Sequence, residues 1–446
     1  MEYLIIAAQL ILSLSILVVL HEWGHFFPAR LFGTRVEKFY LFFNPWFSLF
    51  KKKIGETEYG IGWLPLGGYV KIAGMMDESF DKDQLAQEPQ PWEFRSKPAW
   101  QRLIIMIGGV TVNFILGFLL WGMVLFIWGE KSLPAENVKY GIYCDDLAQE
   151  MGLKNGDKII SIGGKPFENF GDLRRDIVFD EANTMTVQRG SQQVKLDIDE
   201  KYVSALAGYR GFFVMPRFPF VAGEIMEDSP AEAGGIEVGD SIIAFNDTPV
   251  KYFDEFKNIA STSRNETVKV TLIRNDSTWE QKVKLDTCGR MGVVPYGEDR
   301  YLTYGTQEYT LAEALPAGVS KGWDFLAANV KGFAMMFTGK IKASESLGGF
   351  GTIANLFPPK WDWSRFWKIT AILSLILAFM NILPIPLLDG GHVMFLLYEM
   401  VVGRPPSDKF MEISMNIGLF FIMGLLLYAN GMDAWRAWVG SGATAC

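Results

Sequence analysis

The first feature that suggests chemistry is a pair of histidines four residues apart. The chain has three histidines in 446 residues, and two of them form His21-Glu22-Trp23-Gly24-His25. With this composition, an H-E-x-x-H pattern arises by chance in about one chain in a thousand. On a helix the two imidazoles share one face and can bind one Zn²⁺, and Glu22 is then placed to act on water as a general base. The alternative is a polar helix end at a membrane surface.

A catalytic zinc site needs a third protein ligand, because such sites use three side chains and keep one position open. The candidate is Asp389, in the segment Asn-Ile-Leu-Pro-Ile-Pro-Leu-Leu-Asp-Gly-Gly-His that runs from Asn381 to His392. About 18 and about 20 apolar residues precede His21 and Asp389, so at about 1.5 Å per residue both lie at a similar membrane depth. Unpaired ionisable groups are costly there, which makes Glu22 and Asp389 functional candidates.

Several neighbours of Asp389 have two interpretations each. Asn381 is a candidate donor to an oxyanion, or it makes a helix-packing hydrogen bond. His392 is a partner of the ligands or a residue on a helix surface, and the second interpretation is favoured. Pro384 and Pro386 interrupt the apolar segment, which a membrane tolerates where the freed backbone faces protein or a water-filled cavity. Hydrolysis inside a membrane needs such a cavity.

Membrane helices must position these residues. Hydrophobic residues make up 49% and charged residues 21% of the chain, which excludes a disordered or collagen-like protein. The sequence therefore predicts a polytopic α-helical membrane protein with four transmembrane helices, the first of which lacks a signal-peptide cleavage site. Windows long enough to cross a hydrocarbon core of about 30 Å are Tyr3 to Leu20, Leu103 to Gly129, Ile369 to Leu388 and Ile413 to Met432.

The distribution of charge predicts the orientation of these helices. Eleven Lys and Arg lie in residues 30–102, including the lysines 51–53, and none precedes the first window. By the positive-inside rule this segment is cytoplasmic, so the N-terminus and residues 130–368 are extracytoplasmic. The net charge of −8 argues against nucleic acid as a partner, and membrane lipid surrounds the helices.

The predicted external segment contains an internal repeat with a shift of 83 residues. Each copy is expected to combine a short helix, a Gly-Asp turn, a strand and a second helix, as two copies of one module do. The pattern resembles a tandem pair of α+β PDZ domains, which bind extended peptide ends by strand addition. Such modules also act as steric filters, or the turns only shape a small fold. The aligned pairs include Asp145 with Asp228, Ala148 with Ala231, Gly152 with Gly235, and Gly156-Asp157 with Gly239-Asp240.

Residues 57–72 are predicted to form a membrane-associated β-hairpin, with Pro65, Gly67 and Gly68 at its turn. The open edge of this hairpin would pair with an unwound substrate by strand addition. The alternative is a hairpin that only packs on the core.

Four further features of the sequence carry expectations of their own. Residues 311–341 are predicted to be helical from their apolar spacing, and the tryptophans that follow are typical of an interfacial belt. Cys144 and Cys288 are expected to be free thiols. A bridge between them is the alternative, because both lie in the predicted external segment. The tail that ends in Cys446 is typical of a cloning remnant. Gly390 and Gly391 are expected to allow close approach of the backbone to the metal.

At this point the chain resembles the site-2 protease family, in its RseP-type bacterial branch of intramembrane zinc metalloproteases with tandem PDZ domains. The matching features are the H-E-x-x-H, the N-x-x-P-x-P-x-L-D-G-G, the repeat and the Leu-Pro-Leu-Gly-Gly-Tyr-Val-Lys stretch. Residues 348–351 depart from the Gly-Pro-Ile sequence of relatives. The resemblance implies zinc binding by His21, His25 and Asp389, a general base at Glu22, and substrate or oxyanion contacts at Asn381, Pro384, Gly67 and Gly68.

The resemblance also implies a location and a class of substrate. The chain would lie in a bacterial inner membrane and cleave single-span proteins, such as an anti-sigma factor already cut outside by another protease. The competing hypotheses are a PDZ scaffold with a structural metal, which Glu22 argues against, and a transporter with midplane carboxylates. The predicted segments are 1–33, 34–100 with the hairpin at 55–73, 101–129, the PDZ-like domains 130–216 and 217–298, 299–366, 367–400, 410–433 and the tail 434–446.

Overall fold

The computed structural model describes residues 2–65, 67–75, 88–178, 182–209, 211–260, 262–297, 300–339 and 347–443. The chain forms two compact units. The first unit comprises Met1–Gly129, Glu308–Val330 and Leu347–Trp435, and the second comprises Glu130–Gln307, Lys331–Ser346 and Arg436–Cys446. The predicted metal ligands all belong to the first unit, and both copies of the repeat belong to the second.

The long α-helices of the described residues lie mainly in the first unit, which also contains the short α9, and the helices of residues 130–298 are short. In chain order they are α1 (Glu2–Leu31), α2 (Ala99–Trp128), α3 (Asp146–Glu150), α4 (Leu173–Val178), α5 (Glu200–Gly208), α6 (Pro230–Ala233), α7 (Phe253–Ala260), α8 (Leu311–Phe337), α9 (Phe350–Ala354), α10 (Trp363–Ile382), α11 (Asp389–Val402) and α12 (Asp408–Ala443).

The strands follow the opposite distribution, with four in the first unit and the rest in the second. They are β1 (Val36–Leu41), β2 (Phe43–Ile54), β3 (Thr57–Leu64), β4 (Tyr69–Ile72), β5 (Glu130–Ser132), β6 (Ile142–Cys144), β7 (Lys158–Ile162), β8 (Lys165–Pro166), β9 (Thr184–Arg189), β10 (Gln192–Asp197), β11 (Val214–Pro216), β12 (Ala222–Ile225), β13 (Ser241–Phe245), β14 (Thr248–Pro249), β15 (Thr267–Arg274), β16 (Ser277–Lys284), β17 (Val293–Pro295) and β18 (Gly305–Gln307).

Four helices are long and apolar enough to cross a membrane, which confirms the predicted number among the described residues. The spans lie in α1, α2, α10 and α12. The predicted segment 367–400 is not one helix, because α10 ends at Ile382 and α11 starts at Asp389. Proline supplies no backbone N–H and clashes with the preceding turn of a helix. Pro384 and Pro386 therefore interrupt the helix between Ile382 and Asp389.

Close backbone contact joins α1 to α2. A Cβ atom on Gly24 would lie 2.5 Å from the carbonyl oxygen of Gly108 and 2.7 Å from the Cα of Gly109. Small residues at such a crossing let membrane helices approach closely, where packing replaces the hydrophobic effect as the source of stability. The hydroxyl of Ser374 on α10 donates a 2.7 Å hydrogen bond to the carbonyl oxygen of Asn113 on α2. The three helices therefore form one packed group.

The first-unit sheet has the order β2-β3-β1-β4, and this order makes the predicted hairpin over 57–72 wrong. The strand β3 pairs parallel with β1, and β4 pairs antiparallel with the other side of β1. The actual hairpin is β2–β3, whose turn at Gly55 has φ 63°. The chain reverses direction between β3 and β4, but the two strands lie on opposite sides of β1 and so do not pair with each other. Leu66, in the connection between them, lies outside the described residues. Proline and glycine occur both in a tight hairpin turn and in a connection that passes another strand. The local sequence pattern therefore could not distinguish these two arrangements.

Each copy of the repeat in the second unit has a four-stranded sheet of the same order. The orders are β10-β9-β7-β8 and β16-β15-β13-β14, and all of their pairings are antiparallel. A strand pair outside each sheet, β6 with β11 and β12 with β17, also recurs. The structural repeat agrees with the shift of 83 residues in the sequence. We call residues 130–216 the first module and residues 217–298 the second module.

Two of the remaining expectations are only partly right. The helix predicted over 311–341 is α8, which ends at Phe337, and residue 341 lies outside the described part of the chain, as do 444–446 of the tail. Cys144 is a free and buried thiol, as expected. Cys288 is disulfide-bonded, so the prediction of a free thiol there is wrong. Because Cys144 is free, the bridge between these two cysteines is excluded as well.

Candidate active site

Two helices bring the three predicted metal ligands to one point. His21 and His25 are one turn apart on the buried face of α1, and Asp389 is the first residue of α11. Their Nε2 atoms lie 3.3 Å apart, and Oδ2 of Asp389 lies 3.3 Å from Nε2 of His21 and 3.4 Å from Nε2 of His25. The three ligand atoms therefore form a nearly equilateral triangle.

This triangle has the size that a tetrahedral zinc ion requires. Bonds of about 2.05 Å place neighbouring ligand atoms of a tetrahedral site about 3.3 Å apart. Oδ2 of Asp389 is buried and has no hydrogen-bond partner among the described residues, so a cation between the ligands would satisfy it. One carboxylate and two imidazoles are also a donor set that suits zinc and leaves a fourth position open. The residues present fit Zn²⁺.

Residues of α2, the second span, contact the Nδ1 atoms of both histidine rings. The sequence did not predict these contacts. Nδ1 of His25 lies 2.9 Å from the carbonyl oxygen of Ile105, and Nδ1 of His21 lies 3.1 Å from Nδ2 of Asn113. Partners on the second ring nitrogen fix the orientation of a ligating histidine. The available signal was an asparagine, Asn113, within the uncharged window of α2.

Glycines on α2 make the room that these rings occupy. A Cβ atom at Gly109 would overlap Nε2 of His25 and lie 2.8 Å from Cε1 of His21. Only a residue without a side chain leaves this space to the imidazoles. The pair Gly108-Gly109 in the second window was the sequence signal for this packing.

Glu22 lies beside the ligands at the start of the edge strand. Glu22 and Val70 of β4 line the same cavity. A Cβ atom at Gly68 would lie 3.6 Å from Cγ of Glu22 and 2.6 Å from a methyl group of Val18. The lack of a side chain at Gly68 thus lets the strand approach the carboxylate.

A cavity of about 550 Å³ contains the candidate site. Its lining includes the three ligands, Glu22, Gly67, Gly68 and the whole of β4, together with residues of α2, α10, α11 and α12. Among the described strands, β4 pairs with β1 on one side. β4 and the metal ligands therefore share one cavity.

The other predicted site residues are divided between the cavity and its surroundings. Asn381 lines the cavity, with Nδ2 at 3.4 Å from Nε2 of His21, and His392 also lines it. Pro384 is exposed in the break after α10 and is absent from the cavity lining. Cβ atoms at Gly390 and Gly391 would meet the backbone of residues 382–386. These glycines therefore allow α11 to pack on the break, and the expected approach of their backbone to the metal stays a prediction.

The backbone before Asp389 is strained. Leu387 has φ 89°, a conformation that a bulky residue rarely adopts and that costs about 1–3 kcal/mol. Leu387 and Leu388 line the same cavity as the ligands. A strained backbone of this kind is kept where the surrounding contacts fix it. At Leu387 the strained conformation turns the chain so that Asp389 reaches the histidines.

Comparison with known proteins finds similarity over nearly the whole chain. The sequence model of peptidase family M50 matches residues 9–425. A Haemophilus influenzae protein named regulator of sigma E protease is 27% identical over 98% of this chain and all of its own length. The Escherichia coli protein named regulator of sigma-E protease RseP is 27% identical over 94% of this chain and 97% of its own. A Neisseria meningitidis protein whose name proposes a zinc metalloprotease is 28% identical over 96% and 98%.

Proposed function

Because this chain belongs to peptidase family M50 and is a zinc metalloprotease, we propose that it cleaves the transmembrane segments of single-span membrane proteins. The observation that carries the proposal is the convergence of His21, His25 and Asp389 beside Glu22 in a cavity that membrane-length helices line. A site among such helices suits a substrate that lies in the membrane better than a soluble peptide.

The chain's own residues account for the steps of peptide hydrolysis. Zinc, when it is bound, supplies Lewis acidity that polarises the peptide carbonyl and lowers the pKa of water. Glu22 accepts the proton of the attacking water and delivers it to the leaving nitrogen. Asn381, with its amide 3.4 Å from Nε2 of His21, donates a hydrogen bond to the oxygen anion that forms on the carbonyl.

The edge strand gives the substrate a binding mode. A transmembrane helix hides its carbonyls in its own hydrogen bonds, so it must unwind before hydrolysis. The backbone of β4 at the edge away from β1 would supply donors and acceptors for an extended segment. Since β4 and Glu22 line the same cavity, strand addition there would lay a scissile bond across the metal ligands. Gly67 and Gly68 leave room for it.

The relatives suggest which single-span proteins are cut. Two of them carry names that refer to regulation of sigma E. A protease with such a role needs a membrane-bound regulator of a sigma factor as its substrate. We therefore assign an anti-sigma-factor-like protein, already shortened outside by another protease, as the substrate, with the two modules screening substrates by size or by exposed terminus.

The same proposal includes an orientation in a bacterial inner membrane. The basic residues between α1 and α2 favour the cytoplasmic side for this segment, and the positive-inside rule then puts both modules outside. His21 and Asp389 follow spans that run from outside to inside, which puts the site near the cytoplasmic face.

The test of the reaction is cleavage of a single-span test substrate by the purified chain in detergent, combined with metal analysis. Wild type and Glu22→Gln are both expected to contain one zinc, and only wild type is expected to cut. Glu56→Gln, which alters an exposed carboxylate at the β2–β3 turn, serves as the matched control and is expected to cut. Zinc in every variant with no cleavage of several substrates by wild type would instead favour a scaffold with a structural metal.

The test of substrate screening is removal of residues 136–289. If the modules limit access, the shortened enzyme cuts full-length substrates that the intact enzyme leaves alone. Unchanged selectivity between full-length and shortened substrates would contradict the screening role and leave the protease assignment intact.

A further inference from the structure

One side chain of the second span occupies a position that neither the reaction nor the packing explains. Asn113 is fully buried on α2, and its amide is the group that contacts Nδ1 of His21, at 3.1 Å from Nδ2. Its Oδ1 atom has no hydrogen-bond partner among the described residues. An unpaired buried acceptor is unfavourable for folding, so its presence next to a ligand requires a reason.

The chemistry of a ligating histidine supplies this reason. An imidazole that binds a metal through Nε2 carries its proton on Nδ1 and donates it to a second residue. His25 follows this rule, because its Nδ1 faces the carbonyl oxygen of Ile105, which can only accept. His21 needs an acceptor at the equivalent place. The contact there is with the amide of Asn113, which has one acceptor and two donor hydrogens.

A half-turn of the amide resolves both features. It exchanges Oδ1 and Nδ2, so that the unpaired oxygen takes the position 3.1 Å from Nδ1 of His21. In that orientation Oδ1 accepts the proton that His21 carries when Nε2 is free to bind a metal. The α2 backbone is held in register for this contact, because Ser374 donates to the carbonyl oxygen of Asn113.

We propose that Asn113 is a positioning residue of the zinc centre: its amide oxygen accepts the Nδ1–H of His21 and holds that ligand with Nε2 directed at the metal. It does not touch the substrate. Loss of such a partner typically lowers metal affinity 10–100-fold. The inference rests on the zinc protease proposed above and adds a residue that no motif indicated.

The test is a zinc titration of the full chain in detergent against a chromogenic chelator, after removal of the metal. Asn113→Leu keeps the volume and removes the acceptor, and it is expected to weaken zinc binding about 10–100-fold. Asn113→Asp keeps an acceptor and is expected to bind zinc at least as tightly as wild type. Because a merely structural role would not separate Leu from Asp in this way, the rescue by Asp is the decisive result.

Two further variants serve as a control and as a replacement. Ser374→Ala removes the hydrogen bond to the backbone of Asn113 but leaves its amide, so zinc affinity is expected to remain within about threefold of wild type, well short of the loss from a missing ligand partner. Asn113→Ala replaces Leu if that variant does not fold. Unchanged zinc affinity in the folded Leu or Ala variant would overturn the proposal, as would equal weakening in Asp and Leu. Zinc binding as expected without any peptide cleavage would refute the proposed function alone.

Discussion

The room around the ligand rings depends on single residues. Gly109 faces both histidines, and Nδ1 of His25 is held at 2.9 Å by the carbonyl oxygen of Ile105. The His25 ring therefore cannot move away from a methyl group at position 109 without losing its contact with Ile105. The same close packing brings the carbonyl of Ile105 within reach of His25.

Gly109→Ala is expected to lower zinc affinity at least tenfold, although alanine favours a helix more than glycine does by about 1 kcal/mol. The methyl group would occupy the volume of His25 Nε2. Zinc content after dialysis against a weak chelator measures the effect. Gly424→Ala is the matched control, since nothing lies within 4 Å of its new methyl group, and retention of zinc by Gly109→Ala would refute the steric argument.

The single free thiol of the described residues belongs to the first module and reports its folding. Cys144 is fully buried, and burial together with the charges of Asp157 and Asp145 raises its pKa to about 12. The thiolate is the reactive form of cysteine. The folded module therefore protects this thiol twice, by burial and by keeping it protonated.

Native protein at pH 8 is expected to leave Cys144 unmodified by iodoacetamide over hours, whereas protein unfolded in denaturant is modified within minutes. Mass spectrometry of the digested chain measures the extent. Between pH 9 and pH 12 the folded module keeps a proton that the unfolded chain releases, so stability falls as pH rises through this range. Rapid modification of the native protein at pH 8 would contradict the raised pKa.

Among the helices, α9 depends on a distant residue for its N-terminal cap. Its own N-cap residue, Gly349, has no capping side chain. Instead, Asp433 on α12 accepts hydrogen bonds from the N–H groups of Gly349 and Thr352 and from the hydroxyl of Thr352. Asn430, one turn earlier, accepts from the N–H of Phe350. One carboxylate therefore joins the fourth span to the glycine-rich segment before the third.

Asp433→Ala is expected to destabilise the protein by about 1–2 kcal/mol, the usual effect of losing a helix cap. Asp433→Asn keeps an acceptor and is expected to lose less than half of that. Thermal unfolding in detergent, followed by tryptophan fluorescence, compares the two. Equal stability of wild type and the Ala variant would show that these hydrogen bonds contribute nothing net.

The elements that a local pattern specifies were predictable, and those that depend on distant pairing were not. Uncharged windows predicted the four spans, and the H-E-x-x-H together with Asp389 predicted three side chains that do meet. The hairpin over 57–72 was wrong because strand order is decided by β1, which lies between β3 and β4. The caps of α9 and the contacts of α2 with the histidines join residues about 80 apart, which no short window contains.

At the scale of the whole molecule, the two modules repeat one stabilising device. In the first, Arg189 donates to both carboxylate oxygens of Asp157 and to the carbonyl of Gly152. In the second, Arg274 does the same with Asp240 and Gly235. Both aspartates are 1% exposed. A buried carboxylate that loses its partner costs about 3–5 kcal/mol, so each arginine is expected to contribute strongly to the stability of its module.

This device allows the screening role to be tested in the intact chain. Arg274→Met leaves Asp240 buried without its cation and is expected to unfold the second module well below the unfolding temperature of wild type. If that module screens substrates, the variant at a temperature between the two transitions cuts a full-length single-span substrate that wild type leaves intact. Zinc content is expected to stay at one per chain, because every predicted ligand belongs to the other unit.

The matched control is Arg274→Lys, which keeps the positive charge beside Asp240 and is expected to retain most of the stability and the selectivity. Cleavage of the full-length substrate and unfolding of the module are measured together, by gel assay and by circular dichroism over the same temperatures. A module that unfolds while the full-length substrate stays uncut would remove the second module from substrate screening. Cleavage that begins at the same temperature as the loss of structure would instead make the folded module the barrier.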